Sequence, residues 1–268
     1  MSLTPPLRVA LIGWGAINRT VATLVADRPI DIVAVAVRSL EPERHGLPRG
    51  AELITSPSAL ADLDLDVVAE AAGRESVDPW GHATLRAGAD LIISSVSALA
   101  DEELLTSLRE TAAQNAARIT ISTGALGGVD ALGGARLMGI DHVEHRIVKP
   151  PPAWSGTPAE QLCDLTSLDA ETVFFSDSAS QAAIAFPKNA NVAMTTALAG
   201  IGPEKTQITL VADPSATSNT HEIHAHGAFG TLDVSIANSP LPDNPKSSAM
   251  AALNLARALH NRVDTLVL

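Results

Sequence analysis

The sequence predicts an α/β protein that begins with a doubly wound parallel sheet and continues into a second α+β domain with a mainly antiparallel sheet. Three observations predict this class. Short apolar runs alternate with segments of helical spacing as far as residue 122. A glycine-rich turn follows the first apolar run. After residue 123, glycines interrupt the chain, and the later runs are typical of antiparallel strands.

The elements of the first half alternate between strand and helix. They are strand 7–12, helix 16–26, strands 32–37 and 53–54, a helix start at 56–58, strand 66–71, helix 77–87, strand 91–95, helix 101–117 and strand 118–122. The second half contains a partly helical stretch at 129–138, strand 143–149, helices 178–186 and 192–198, strands 205–212, 221–228 and 231–237, and a final helix at 247–260. We therefore expect two domains, 1–122 and 123–242, with a C-terminal helix within 243–268 that packs back on the first.

The composition limits which residue types can form the cores and which side chains can take part in catalysis. The chain has 268 residues, of which 46% are apolar, but aromatic residues make up only 3% and tyrosine is absent. The cores are therefore expected to consist of Ala, Val, Leu and Ile, and no phenol can act as a general acid. The single cysteine, Cys163, excludes an internal disulfide framework and a cysteine-based zinc site. This cysteine count fits a cytoplasmic location.

Charge and hydropathy limit the partners. The net charge of −12 disfavours nucleic acid, because phosphate binding requires a basic face. No stretch of about 18 apolar residues predicts a membrane span, and the N-terminus does not resemble a signal peptide. A small molecule is therefore the expected partner.

The segment VALIGWGAINRTVATLV, residues 9–25, carries the most specific local pattern. Gly13 and Gly15 directly follow a strand and open a helix, where one permits a tight turn and the other a close approach of a pyrophosphate. We predict a Rossmann-type dinucleotide site with contacts from Gly13, Gly15, Ala16 and Ile17. Asn18 replaces the usual third glycine, which indicates looser packing or a polar contact. The alternative is a plain β–α turn.

Arg38 ends the second strand, where an acidic residue would bind the ribose hydroxyls of NAD. An arginine at this position can hold the 2′-phosphate of NADP. It can also lie over the adenine of NAD, or remain a solvated surface residue. NAD or NADP is therefore the predicted cofactor, without a preference between them.

The segment NTHEIHAHG, residues 219–227, places three histidines within six residues. Side chains alternate between the faces of a strand, so His221 should lie on the opposite face from His224 and His226. This separation disfavours a metal site, and we expect none. An imidazole accepts protons near neutral pH, so His221 is a candidate general base; the alternative is a hydrogen-bonded structural histidine.

In the order and spacing of six segments, the sequence resembles the L-aspartate dehydrogenase family over nearly its whole length. The segments are ALIGWGAI at 10–17, VVAEAAGRESV at 67–77, SSVSALAD at 94–101, ISTGALGGVDAL at 121–132, FPKNANVA at 186–193 and NTHEIHAHGAFG at 219–230. Asn18 and Ser97 depart from the family pattern, each in place of an expected glycine.

The resemblance implies NAD(P)-linked oxidation of L-aspartate to iminoaspartate for NAD biosynthesis, and the imine can hydrolyse to oxaloacetate and ammonia. It implies that His221 is the catalytic residue and that Ala125 and Asn191 meet the nicotinamide side. It also implies a Rossmann domain joined to a sheet-bearing catalytic domain, in a homodimer or a higher homo-oligomer.

A dicarboxylic substrate needs cations or N–H donors. Lys149 and Lys188 are the predicted substrate-binding residues, and Arg146 is a further candidate; each is alternatively a surface charge. Two other functions stay open at this point. One is another two-domain reductase of homoserine or dihydrodipicolinate type, and the other is a non-catalytic NAD(P)-binding sensor that would have no use for His221.

Overall fold

The chain divides into two units, one formed by residues 1–124 and 240–268 and the other by residues 125–239. The structure is a computed structural model that describes residues 5–40 and 45–267, apart from the side chains of Lys188, Pro245 and Lys246. Within the described residues, no helix combines the length and the apolar composition needed to cross a membrane.

A six-stranded parallel sheet forms the first unit. Its strands are β1 (Leu7–Ile12), β2 (Ile30–Ala36), β3 (Glu52–Ile54), β4 (Val67–Glu70), β5 (Asp90–Ile93) and β6 (Ile119–Ile121). They are ordered β3-β2-β1-β4-β5-β6, and every pair is parallel. The strand order reverses between β1 and β4, which is where open α/β sheets place their ligands.

Helices connect three pairs of consecutive strands, β1–β2, β4–β5 and β5–β6, as expected for parallel neighbours. They are α1 (Ala16–Leu24), α2 (Arg74–Arg86) and α3 (Glu102–Gln114), with short 3-10 turns at Pro57–Asp62 and Val96–Ala100. The carboxylate of Asp101 caps α3 by accepting hydrogen bonds from the backbone nitrogens of Glu103 and Leu104, at 3.0 and 3.1 Å.

A five-stranded sheet organises the second unit. Its strands are β7 (Ile140–Lys149), β8 (Thr172–Ser178), β9 (Gln207–Ala212), β10 (Asn219–Gly227) and β11 (Gly230–Asn238), in the order β11-β10-β7-β9-β8. All neighbours are antiparallel except β7 and β9. The second unit also contains helices α4 (Val129–Ala135), α5 (Ala159–Leu162), α6 (Ala179–Ala185) and α7 (Ala190–Ala199), with 3-10 turns at Pro151–Trp154 and Pro187–Asn189.

The last segment returns to the first unit as strands β12 (Pro240–Leu241) and β13 (Asn244–Ser248), followed by helix α8 (Ala249–His260). One face of the first sheet packs against α1 and α8, in a core that includes Val9, Leu11, Val21 and Leu255. The alternate β1 residues, such as Ile12, face a second core with Leu60. Burial of both faces explains why β1 is apolar without interruption from Val9 to Ile12.

The predicted fold class is confirmed: the first sheet is parallel and doubly wound, and the second is mainly antiparallel. The element boundaries differ from the predicted ones by a few residues. Strand β8 was not predicted, although TVFF at its start has the β-branched and aromatic composition of a strand. The 3-10 turn at Val96–Ala100, helix α5 and the β12–β13 pair were not predicted either.

Candidate functional site

The glycine-rich turn joins β1 to α1 at the reversal of strand order. Gly13 has φ +92°, and a Cβ atom there would lie 2.9 Å from the Cβ of Ala72. Gly15 is exposed and precedes the first residue of α1. Apart from its chain neighbours, no atom of the described residues would lie within 4 Å of a Cβ placed there. The first position therefore requires glycine for the fold, whereas the second leaves the backbone open at a helix N-terminus.

A cavity of about 760 Å³ lies over this turn. It is lined by Ile12–Gly15, Ala36–Arg38, Thr55, Ala71–Ser76, Pro79 and Trp80. The open backbone at Gly15 and the N–H groups of the first turn of α1 fit the pyrophosphate of a dinucleotide. The structure thus places Gly13 and Gly15 on the cavity wall, and Ala16 and Ile17 in the first turn of α1.

Asn18 provides the polar contact that was one of its two predicted roles. Its side chain is fully buried, and Nδ2 donates to the carbonyl oxygens of Ile12 and Gly13, both at 2.9 Å. These bonds tie α1 to the end of β1, where the usual glycine would allow only close packing.

Glu70 is a buried carboxylate at the end of β4 that was not predicted as a site residue from the sequence. Its Oε1 accepts from the backbone nitrogens of Ala72 (2.7 Å) and Gly73 (3.1 Å), from the Ser76 hydroxyl (2.8 Å) and from the Ser95 hydroxyl (2.8 Å). Its Oε2 accepts from the Ser95 nitrogen at 3.0 Å. Glu70 therefore holds the loop that forms one wall of the cavity.

Arg38 lies just after β2, is exposed and lines the same cavity. Its position on the cavity wall is compatible with both cofactor hypotheses.

In the second unit, two buried histidines form a pair. His221 on β10 and His145 on β7 are 5% and 0% exposed, and His221 Nδ1 lies 3.1 Å from His145 Nε2. Behind this pair, His145 Nδ1 lies 2.9 Å from the hydroxyl of Thr196 on α7. Burial, and then the charge of Lys149, lowers the pKa of His221 to about 4. Burial, and then the neighbouring His221, holds the pKa of His145 well below its ordinary value.

Lys149 follows His145 on the same face of β7, four residues further along the strand. Its ammonium group donates to Asn189 Oδ1 at 2.5 Å and lies 4.5 Å from the centre of the Trp154 ring. Burial lowers the pKa of Lys149 to about 8. The amine is therefore protonated in most of the molecules at neutral pH. The structure therefore brings together an imidazole base and a cation.

The other predicted residues are placed as follows. Ala125 is buried at the start of the second unit, and its carbonyl oxygen accepts from Asn238 at 3.1 Å. Asn191 lies exposed in the first turn of α7. Lys188 belongs to the turn before α7, and its side chain lies outside the described part.

Arg146 does not lie on the sheet face that carries His221. It lies on the opposite face of β7, where it pairs with Glu222 at 3.1 Å and with Glu171 at 2.6 Å. The candidate cation of this segment is therefore Lys149 and not Arg146, because a step of one residue along a strand changes the face.

His224 and His226 lie on the face of β10 opposite His221, as strand alternation predicted. They cluster with His142 of β7, with ring centres 5.4–6.3 Å apart, and His224 also contacts Asp233 at 2.6 Å. In the part of the chain that the structure describes, no group of three or more His, Cys, Asp or Glu residues has an arrangement suited to a metal ion.

Two protein families match the chain. Residues 13–122 match the family described as homoserine dehydrogenase, NAD binding domain, and residues 130–262 match the family described as aspartate dehydrogenase, C-terminal. The strand order, the glycine turn and the cavity agree with the first match. Fold and site together define a two-domain, NAD(P)-dependent dehydrogenase.

The L-aspartate dehydrogenase of Brucella anthropi is 52% identical to this chain over 262 residues, which cover 97% of this chain and 98% of that protein. The chain therefore belongs to the L-aspartate dehydrogenase family. Family membership confirms the resemblance that the six sequence segments indicated.

One solved structure agrees with this assignment, and a second shares the fold. The aspartate dehydrogenase of Thermotoga maritima superposes with a TM-score of 0.77 at 26% identity, covering 98% of this chain and 99% of that one. A homoserine dehydrogenase from Staphylococcus aureus superposes with a TM-score of 0.56 at 13% identity, covering 96% of this chain and 76% of that one. At that identity the second likeness shows the fold alone.

Proposed function

We propose that this chain oxidises L-aspartate at its amine-bearing carbon, with NAD or NADP as hydride acceptor, and releases iminoaspartate. Membership of the L-aspartate dehydrogenase family supports the reaction. The observation that carries it is the buried His221–His145 pair, with Lys149 on the same sheet face, in the unit that matches the aspartate dehydrogenase family. The imine then hydrolyses in water to oxaloacetate and ammonia.

The glycine turn and its surroundings bind the cofactor. The open backbone at Gly15 and the N-terminus of α1 hold the pyrophosphate, while Gly13 allows the turn that positions them. Arg38 holds the adenosine end of the cofactor. When bound, the nicotinamide supplies the acceptor for the hydride that leaves the substrate carbon. Ala125 and Asn191 are proposed to lie on the nicotinamide side.

His221 acts as the general base. The ammonium group of aspartate must lose a proton before its nitrogen lone pair can form the C=N bond. His221 is neutral at pH 7 because its pKa is about 4, so it carries the lone pair that accepts this proton. A substrate carboxylate on Lys149 offsets the positive charge that is one cause of the low pKa, and so makes His221 more basic when substrate is bound.

Lys149 binds a carboxylate of the substrate. Asn189 and the Trp154 ring hold its ammonium group in place, and its low exposure strengthens a charge-assisted hydrogen bond. Lys188 is proposed as a second cation for the dicarboxylate. Assembly as a homodimer or higher homo-oligomer and a cytoplasmic location stay predictions of the sequence.

Absorbance of the reduced cofactor at steady state tests the proposal with L-aspartate, D-aspartate, homoserine and no substrate. We expect turnover with L-aspartate. His221→Ala should lower kcat at least tenfold and leave the calorimetric cofactor Kd within about twofold, as general-base catalysis typically contributes about 10²–10⁴-fold. His224→Ala, on the opposite face of the same strand, is the matched control. Cofactor binding without turnover of any substrate would instead favour a sensor, and unchanged kcat in His221→Ala would remove that residue from the mechanism.

A further inference from the structure

A chain of side-chain hydrogen bonds runs from His221 into the interior of the second unit. His221 Nδ1 meets His145 Nε2 at 3.1 Å, and His145 Nδ1 meets Thr196 Oγ1 at 2.9 Å. The Thr196 hydroxyl in turn contacts the backbone carbonyl oxygen of Val192, one turn earlier in α7, at 3.2 Å. His145 and Thr196 are both fully buried, so water does not compete for these contacts.

The Val192 carbonyl, where this series of hydrogen bonds ends, determines which atom donates in each of them. The Val192 carbonyl can only accept, so the Thr196 hydroxyl donates to it. The hydroxyl has one proton, so its oxygen accepts from His145 Nδ1–H. A neutral His145 then has its lone pair on Nε2, and this atom accepts from His221 Nδ1–H.

The reverse direction is disfavoured. If Thr196 donated to His145, the Thr196 and Val192 oxygens would face each other as two acceptors 3.2 Å apart in a buried place. A doubly protonated His145 is also disfavoured, because burial holds the pKa of that imidazole well below its ordinary value.

We propose that His145 and Thr196 are positioning residues that hold His221 as the tautomer with its proton on Nδ1, so that Nε2 carries the lone pair toward the substrate. This inference rests on the proposed role of His221 as the base. His145 is neutral, in contrast to the carboxylate that orients histidine in a Ser-His-Asp triad. It therefore fixes the orientation and the tautomer of His221 without adding a negative charge that would make the imidazole more basic.

The tautomer can be observed directly in the whole chain. With ¹⁵N in the histidine rings, the spectrum at pH 7 should show a protonated Nδ1 and an unprotonated Nε2 for His221, assigned by the signals missing from His221→Gln. A proton on Nε2 would overturn the inference. This measurement needs no turnover, so a chain that showed the Nδ1–H tautomer but failed to oxidise L-aspartate would overturn the proposed function alone.

Substitutions of Thr196 test whether the hydroxyl sets the tautomer. Thr196→Val removes the acceptor for His145 Nδ1–H, so the His221 proton should shift to Nε2. We expect kcat with L-aspartate to fall at least tenfold, with KM and cofactor Kd within about twofold. Thr196→Ser returns the hydroxyl and should rescue both the tautomer and kcat relative to Thr196→Val.

Thr195→Val is the matched control. Thr195 is also buried in α7, and its hydroxyl donates to the Asn191 carbonyl oxygen at 2.8 Å, which is the same type of contact without a histidine partner. Loss of kcat to the same extent in Thr195→Val would assign the effect to helix packing and overturn the inference. So would an unchanged His221 tautomer in Thr196→Val.

A second pair of variants serves if Thr196→Val does not fold. The amide oxygen of His145→Gln can accept from His221 Nδ1–H, whereas His145→Leu offers no acceptor. The glutamine variant should retain the Nδ1–H tautomer and at least a tenfold higher kcat than the leucine variant. Equal kcat and equal tautomer populations in the two variants would contradict the positioning role.

Discussion

Glu70 and Ser95 are joined by two hydrogen bonds, from the Ser95 nitrogen to Oε2 at 3.0 Å and from its hydroxyl to Oε1 at 2.8 Å. They connect the ends of the neighbouring strands β4 and β5. Because Glu70 also accepts from Ala72 and Gly73, one carboxylate organises the loops at this edge of the parallel sheet.

Glu70→Gln should destabilise the first unit, although it preserves the size of the side chain. An amide has a single acceptor oxygen, so its NH₂ group must face at least one of the N–H or O–H donors that Glu70 now satisfies. A buried donor left unpaired costs about 1–3 kcal/mol. Urea denaturation should show this loss, together with weaker cofactor binding. Glu110→Gln, on the exposed surface of α3, is the control, and equal stability of the two variants would contradict the role of Glu70.

Gly13→Ala should lower folding stability, whereas Gly15→Ala should lower cofactor affinity. At Gly13 the new Cβ meets Ala72 at 2.9 Å with φ at +92°, so we expect a loss of about 2–4 kcal/mol in folding stability from overpacking and backbone strain. At Gly15 the Cβ meets no atom within 4 Å in the described part of the chain beyond its chain neighbours, and φ is −84°, so thermal unfolding without cofactor should hardly change. The methyl group would occupy the proposed position of the pyrophosphate and raise the cofactor Kd at least tenfold. Unchanged cofactor affinity in Gly15→Ala would contradict the placement of the pyrophosphate.

Arg38→Asp should raise the KM for NADPH at least tenfold and change the KM for NADH by less than about threefold, since a carboxylate repels the 2′-phosphate that the arginine would bind. Initial rates with each reduced cofactor, ammonia and oxaloacetate measure the two constants. Arg109→Asp, exposed on α3, makes the same charge change away from the cavity. Equal losses for both cofactors would instead place Arg38 over the adenine ring.

Lys149→Gln should raise the KM for L-aspartate at least tenfold, because a charge-assisted hydrogen bond to a carboxylate contributes roughly 1.5–3 kcal/mol. Cofactor affinity should stay within about twofold. Removing the positive charge also removes one cause of the low His221 pKa, so the acidic limb of the pH–rate profile should move to higher pH. Lys205→Gln is the exposed control in the same unit, and an unchanged KM in Lys149→Gln would exclude the carboxylate contact.

Stability should fall as the pH falls from about 6.5 to about 4. His221 and His145 both have a lower pKa in the folded chain than the ordinary value of 6.5, so the unfolded chain takes up protons first in this range. The loss should be on the order of 1–3 kcal/mol for His221. Urea midpoints followed by circular dichroism should show a smaller loss for His221→Gln than for the wild type and for the exposed control His226→Gln. Identical losses in all three proteins would contradict the lowered pKa.

Local patterns predicted the parts of the site that lie within one element. The apolar run of β1, two glycines and a helical spacing follow each other within residues 7–24, so the glycine turn between β1 and α1 could be predicted from the sequence. Strand alternation correctly separated His221 from His224, because the faces of a strand have a period of two.

The partners of His221 could not be predicted in the same way. His145 is 76 residues away, and its contact depends on the register between β7 and β10, which no local pattern specifies. Thr196 reaches His145 only because α7 packs on that sheet face. Glu70 could have been found from the sequence, because it ends the otherwise apolar strand β4. A buried carboxylate at the end of a parallel strand must find hydrogen-bond donors.

The positions of the tryptophans make the two units optically distinguishable. Trp14 and Trp80 line the cavity over the glycine-rich turn, whereas Trp154 is buried in the second unit beneath Lys149. Since the chain has three tryptophans and no tyrosine, its ultraviolet emission comes from these indoles. Quenching of Trp14 and Trp80 would follow occupancy of the cavity, while a chain that keeps only Trp154 would give a fluorescence signal from the surroundings of Lys149.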